Sequence, residues 1–123
     1  MTLRLPGLTV LAAAGASPFH TLHVCKGDCL LFDFADYPVG AFSWDATAPG
    51  NPSLAEGLER LSGAVMGGIS HEGAILDASP DGVRLQYRRA LEQTGGRRWL
   101  VAPGCSMPMA TSSARSASVS PRC

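Results

Sequence analysis

Apolar positions in this chain gather into four short runs, separated by longer stretches with helical spacing. The runs are FHTLHVC (19–25), GAFSW (40–44), GAVMGGIS (63–70) and RRWLVAPGC (97–105), each patterned like a buried strand. Between them, NPSLAEGLERL (51–61) offers Ser53 as an N-cap, Glu56 three residues later, and Leu54, Leu58 and Leu61 on one face. SPDGVRLQYRRALEQTGG (79–96) has Ser79 as cap and Pro80 at the first helical position, with acids read as early, arginines as late, and Gly95-Gly96 as the stop. CLLFDFADY (29–37) is a shorter helical candidate between the first two strands. The opening MTLRLPGLTVLAAAGAS (1–17) imitates a signal peptide, but Pro6 and Gly7 interrupt the apolar segment where it should begin. LTVLAAA (8–14) is therefore read as a helix leading into the first strand.

Strands alternating with helices, and no hairpin signals, predict βαβ units and a parallel α/β sheet. Each βα pair takes roughly the 25 to 30 residues that one unit of a (β/α)8 barrel occupies, so four units make half a barrel. Composition narrows the picture. With a formal net charge of +0 and 16% charged residues, the 123-residue chain has no basic field for nucleic acid or an anionic membrane. No apolar run approaches the roughly 20 residues that span a bilayer. Four irregularly spaced cysteines do not form the framework of a small secreted protein, so a reducing cytoplasm is expected.

The runs end in polar or reactive groups: His23 and Cys25, then Asp45, then Ser70 and His71, then Cys105 and Ser106. In parallel βα folds the carboxyl ends of the strands face the ligand. His23 and Cys25, two apart on a strand, leave the same face, which suits two ligands of one metal. Cys105 would complete a His-Cys-Cys set with one position open, the pattern of a catalytic zinc. Cys29 falls within zinc-knuckle spacing of Cys25 but lies beyond Gly27 at a helix start, where packing is expected. A strand cysteine is more often a small buried hydrophobe, and a strand histidine a satisfied core residue, so the residues alone leave both readings open. Trp44 and Trp99 are expected in the core. Asp33, Asp36 and the pairs Arg88-Arg89 and Arg97-Arg98 are expected on solvated surface, and Gly67-Gly68 is expected to ease a crowded barrel interior.

HVCKGD (23–28), FADYPVGAFSWD (34–45), PSLAEGLERLSGAVMGGIS (52–70) and TGGRRWLVAPGCSMP (94–108) together resemble the C-terminal half of the uroporphyrinogen decarboxylase superfamily. The resemblance covers about residues 3 to 109 and implies a (β/α)8 barrel. That superfamily holds haem-pathway decarboxylases and corrinoid-dependent methyltransferases acting on coenzyme M and similar thiols. The methyltransferase branch carries H-x-C and a distant P-G-C that bind zinc. His23, Cys25 and Cys105 match it in type, spacing and order, whereas decarboxylases typically have G-H-G in the last motif. The resemblance thus implies a Zn2+ site on these three residues, a small thiol substrate, and a corrinoid carried by a partner protein as methyl donor. Asp45 is a weaker candidate, orienting a ligand or the substrate from behind.

The chain also departs from the family. A complete barrel would need about four further βα units before residue 1, supplied by an N-terminal half or replaced by a second copy of the chain. Alone, the chain is expected to be inactive. MGGISHEG (66–73) stands where many members have a G-N-x-D-P-like run. ATSSARSASVSPRC (110–123) lacks helical periodicity and is read as disordered, an out-of-frame version of the family's last helix; Met1 is read as an internal start and Cys123 is given no role. The segments expected are thus a partial helix at 1–17, a half-barrel at 18–109 and a tail at 110–123. Two other functions remain open: porphyrinogen decarboxylation, which needs no metal, and a non-catalytic half-barrel that self-associates.

Overall fold

The computed structural model describes residues 4–15, 17–25, 27–72, 75 and 79–106. The tail at 110–123 with Cys123, and Met1, lie outside them, so the expectations placed there are not addressed. A helix α1 (Arg4–Ala13) precedes strand β1 (Thr21–Val24), followed by a 3-10 turn (Leu31–Phe34), β2 (Ala41–Trp44), α2 (Leu54–Arg60), β3 (Ala64–Ile69), α3 (Pro80–Thr94) and β4 (Trp99–Pro103). The four strands form one parallel sheet in the order β1-β2-β3-β4, an α/β arrangement consistent with part of a (β/α)8 barrel. Among the described residues β1 and β4 are the edge strands, and Leu100 and Val101 on β4 are 44% and 52% exposed, as an edge left without a neighbour would be.

Burial explains why the middle of the sheet holds. All four residues of β2 are buried, and Phe42 and Trp44 join Leu31, Leu54, Leu61, Val65 and Ala90 in one apolar cluster. A side chain on Gly57 of α2 would overlap the Trp44 ring, so that glycine is what lets the helix lie on the sheet. Trp44 Nε1 donates to the Pro52 carbonyl at 2.8 Å, so its one polar atom is satisfied inside the core. Trp99 is half-buried, donates to Gly67 O at 3.1 Å, and lies 5.4 Å from the Tyr87 ring.

The helices begin and end where their caps dictate. Ser53 and Glu56 form a reciprocal capping box at α2. Ser79 Oγ accepts from Gly82 N at α3, and Gly95, at φ 63°, closes its far end. Three expectations are corrected. The helix over 29–37 shrinks to the four-residue turn, because Leu30 supplies no capping side chain and Pro38 bars continuation. The crowding at Gly68 comes from the helix side, where a Cβ would lie 2.8 Å from Ala90 Cβ of α3, and at Gly67 from the Trp44 carbonyl of the neighbouring strand, 2.9 Å away. Arg98 is not simply solvated. Its guanidinium donates to the carbonyls of Leu58, Leu61, Ser62 and Gly63 at 2.7 to 3.2 Å, capping the end of α2 and the entry to β3. Arg88, Arg89, Asp33 and Asp36 are exposed as expected. No helix among the described residues is long and apolar enough to cross a membrane.

Candidate metal centre

The carboxyl end of β1 sends His23 and Cys25 to the same side, and parallel pairing sets His23 opposite Ser43. The contacts follow from that register. His23 Nδ1 lies 3.0 Å from Ser43 Oγ, and His23 Nε2 lies 3.3 Å from Cys25 Sγ. With Nδ1–H donated to the hydroxyl, the Nε2 lone pair faces the sulfur. Burial lowers the His23 pKa; hydrogen bonding at Ser43 opposes this, and the like charge available to His71 adds to it. The ring is thereby biased toward the neutral form a metal needs.

Cys105 arrives from the other edge. The turn after β4 is fixed by Gly104 N, which donates to Ile69 O at 2.9 Å. A side chain at Gly104 would come within 2.7 Å of Asp45, so only glycine lets this turn close against the end of β2. Cys105 Sγ consequently lies 3.2 Å from Cys25 Sγ, and the ligand atoms of His23, Cys25 and Cys105 all fall within 4.8 Å of one another. Tetrahedral zinc would want sulfurs about 3.7 Å apart and nitrogen about 3.5 Å from sulfur, so the 3.2 Å and 3.3 Å approaches at Cys25 would open by a few tenths of an ångström around a cation. One imidazole and two sulfurs also form a donor set suited to zinc over hard cations.

Cys105 departs from the expected free thiol in one respect. It is disulfide-bonded. The ligand set is complete only once that bond is reduced. Cys29 stands apart from the group, packed against the core with its N–H donated to Asn51 Oδ1 at 2.8 Å.

Asp45, just past β2, is 6% exposed. Its Oδ1 accepts from Thr47 N at 3.0 Å and from Thr47 Oγ1 at 2.6 Å, and its carbonyl accepts from Asn51 Nδ2 at 2.8 Å. Oδ2 faces His71 Nδ1 at 3.5 Å. That Nδ1 is a buried nitrogen with no hydrogen-bond partner, and the other ring nitrogen lies 3.8 Å from Glu72. Ser43 and His71 were not singled out as site residues from sequence. A fixed register would have exposed the first, and its strand-end position already hinted at the second.

A search of the curated proteins and one of the solved structures returned no match. The family model described as uroporphyrinogen decarboxylase (URO-D) matches residues 8–119, which takes in all four strands and each of the three candidate ligands. The chain therefore belongs to the uroporphyrinogen decarboxylase family.

Proposed function

We propose that His23, Cys25 and, once reduced, Cys105 hold a zinc ion in an enzyme that moves a methyl group from a corrinoid, carried on a partner protein, to a small thiol. The observation that supports this most is the convergence of one imidazole nitrogen and two sulfurs from opposite edges of the sheet to within 4.8 Å. Zinc bound there would supply a Lewis acid that favours thiolate over thiol. His23, held by Ser43, offers Nε2; Cys25 and Cys105 offer anionic sulfur and keep the site electron-rich. These three ligands would leave a position for the substrate's sulfur; once its proton had gone, the sulfur's lone pair would bond to the methyl carbon as the cobalt–carbon bond broke and left its electron pair on the corrinoid. The remaining wall of a barrel, from further βα units or a second copy of the chain, would enclose the substrates, and the chain alone is proposed to be inactive.

The family's description supports a second reading, decarboxylation of a porphyrinogen, which uses no metal. Elemental analysis of the freshly reduced protein separates the two. About one zinc per chain, lost in Cys25→Ser, is expected for the tetrahedral three-ligand site. Reduced wild-type protein that takes up no zinc would sink the methyl-transfer reading.

A further inference from the structure

We infer that His71, oriented by the Asp45 carboxylate, is the base that receives the substrate thiol's proton at this centre. The inference rests on the thiol reading above and assigns a residue that reading leaves unused. A thiol has a pKa of about 8.5, so at neutral pH it arrives carrying a proton that must go somewhere when thiolate is bound.

The geometry selects His71. It follows β3 at the same rim of the sheet from which β1 and β4 present His23, Cys25 and Cys105. Asp45 joins the two regions: one side of it packs against Gly104, next to Cys105, and its Oδ2 faces His71 Nδ1. Because Thr47 already occupies Oδ1, that second oxygen is the one aimed at the imidazole. A buried Nδ1 without a hydrogen bond, 3.5 Å from a buried carboxylate oxygen, is the loosened state of an Asp–His pair that tightens when the ring becomes charged. With Nδ1–H directed at Asp45, Nε2 carries the lone pair. In the step, the S–H bond breaks, its electron pair stays on sulfur, the proton moves to Nε2, and Nδ1–H donates to Asp45 Oδ2.

Two carboxylates face the ring. Asp45 meets it from the end of β2, and Glu72, 73% exposed, stands 3.8 Å from Nε2 on the ring's own loop. From β1, His23 is the titratable group that interacts with it across the rim.

The test titrates 2-mercaptoethanol into zinc-loaded protein, reduced with a phosphine, by calorimetry in buffers of different ionisation enthalpy at neutral pH. Protons released per thiol bound are the readout. Wild type is expected to release well under one, and His71→Gln about one, because the acceptor has gone. Asp45→Asn is expected to fall between, and His71→Gln is expected to keep its zinc. Equal release from wild type and His71→Gln, with thiol bound by both, overturns the base assignment and leaves the zinc reading standing. Loss of zinc from His71→Gln also overturns it, since His71 would then be supporting the ligands. A wild-type protein that binds neither zinc nor thiol overturns both proposals together.

Discussion

At the level of Phe42 and Val65 the sheet is sealed on its helix side: both side chains are fully buried, α2 lies against Trp44, and Arg98 ties off the carbonyls at the end of α2. Toward the carboxyl ends the materials change: Asp45 lies three residues beyond Phe42, His71 lies six beyond Val65, and β1 and β4 bring His23, Cys25 and Cys105 to the same rim. There, His71 Nδ1 has no hydrogen bond, and Cys25 and Cys105 hold their sulfurs 3.2 Å apart. The first region gains its stability from apolar area and satisfied caps. The second gives up some of that gain to keep donor groups facing one another, as the proposed metal site would require. One short sheet thus carries both a stable layer and a reactive one, and they touch through single residues such as Ser43 and Asp45.

The strongest challenge to this separation is Trp44→Ala. Emptying a fully buried indole site should cost about 3 to 5 kcal/mol, read from the midpoint of chemical denaturation. The fraction that remains folded should still load zinc as wild type does. If zinc affinity falls in step with stability, the two layers are a single unit and the comparison fails.

A smaller effect tests the contact between the layers. Ser43→Ala removes the hydroxyl 3.0 Å from His23 Nδ1 and should weaken zinc binding about tenfold, as loss of a group that orients a ligand does. Competition against a chromogenic chelator would measure it. The thermal midpoint of metal-free protein should barely move, because the methyl side chain still fills the site. A large drop in that midpoint would place Ser43 with the stable layer instead.

The smallest effect is a pH dependence. The folded state lowers the His23 pKa from 6.5, so the unfolded chain takes up its proton first as pH falls. Metal-free, reduced protein should therefore lose stability as pH drops from 6.5 toward the lowered value, flatten below it, and show no contribution from this residue above 6.5. His23→Gln should remove this component of the curve in denaturation series taken across that window. An unchanged slope would mean that the rim is too solvated to bias its own ligand.

Much of the framework was legible because its signals are local. Ser53 and Glu56 lie one helical turn apart, Ser79 precedes Pro80, and Gly95 follows the last turn, so each marks a helix end through contacts with its own neighbours. The apolar runs marked all four strands for the same reason. The stretch at 29–37 was misread since its apolar residues are held by tertiary burial of Leu31 and Tyr37, with no cap or period to make a helix. Arg98 was misread because its four carbonyl partners lie 35 to 40 positions earlier.

The candidate site divides along the same line. Sequence by itself determined that His23 and Cys25 share a strand face, since side chains alternate with a period of two, and that the polar groups fall at strand ends. Only the tertiary structure decided that β1 pairs in the register that puts Ser43 behind His23, and that Gly104 lets the β4 turn close on Asp45 until Cys105 reaches Cys25 from 80 residues away. Register and close approach depend on how whole strands and turns pack, and no short window of residues encodes that packing.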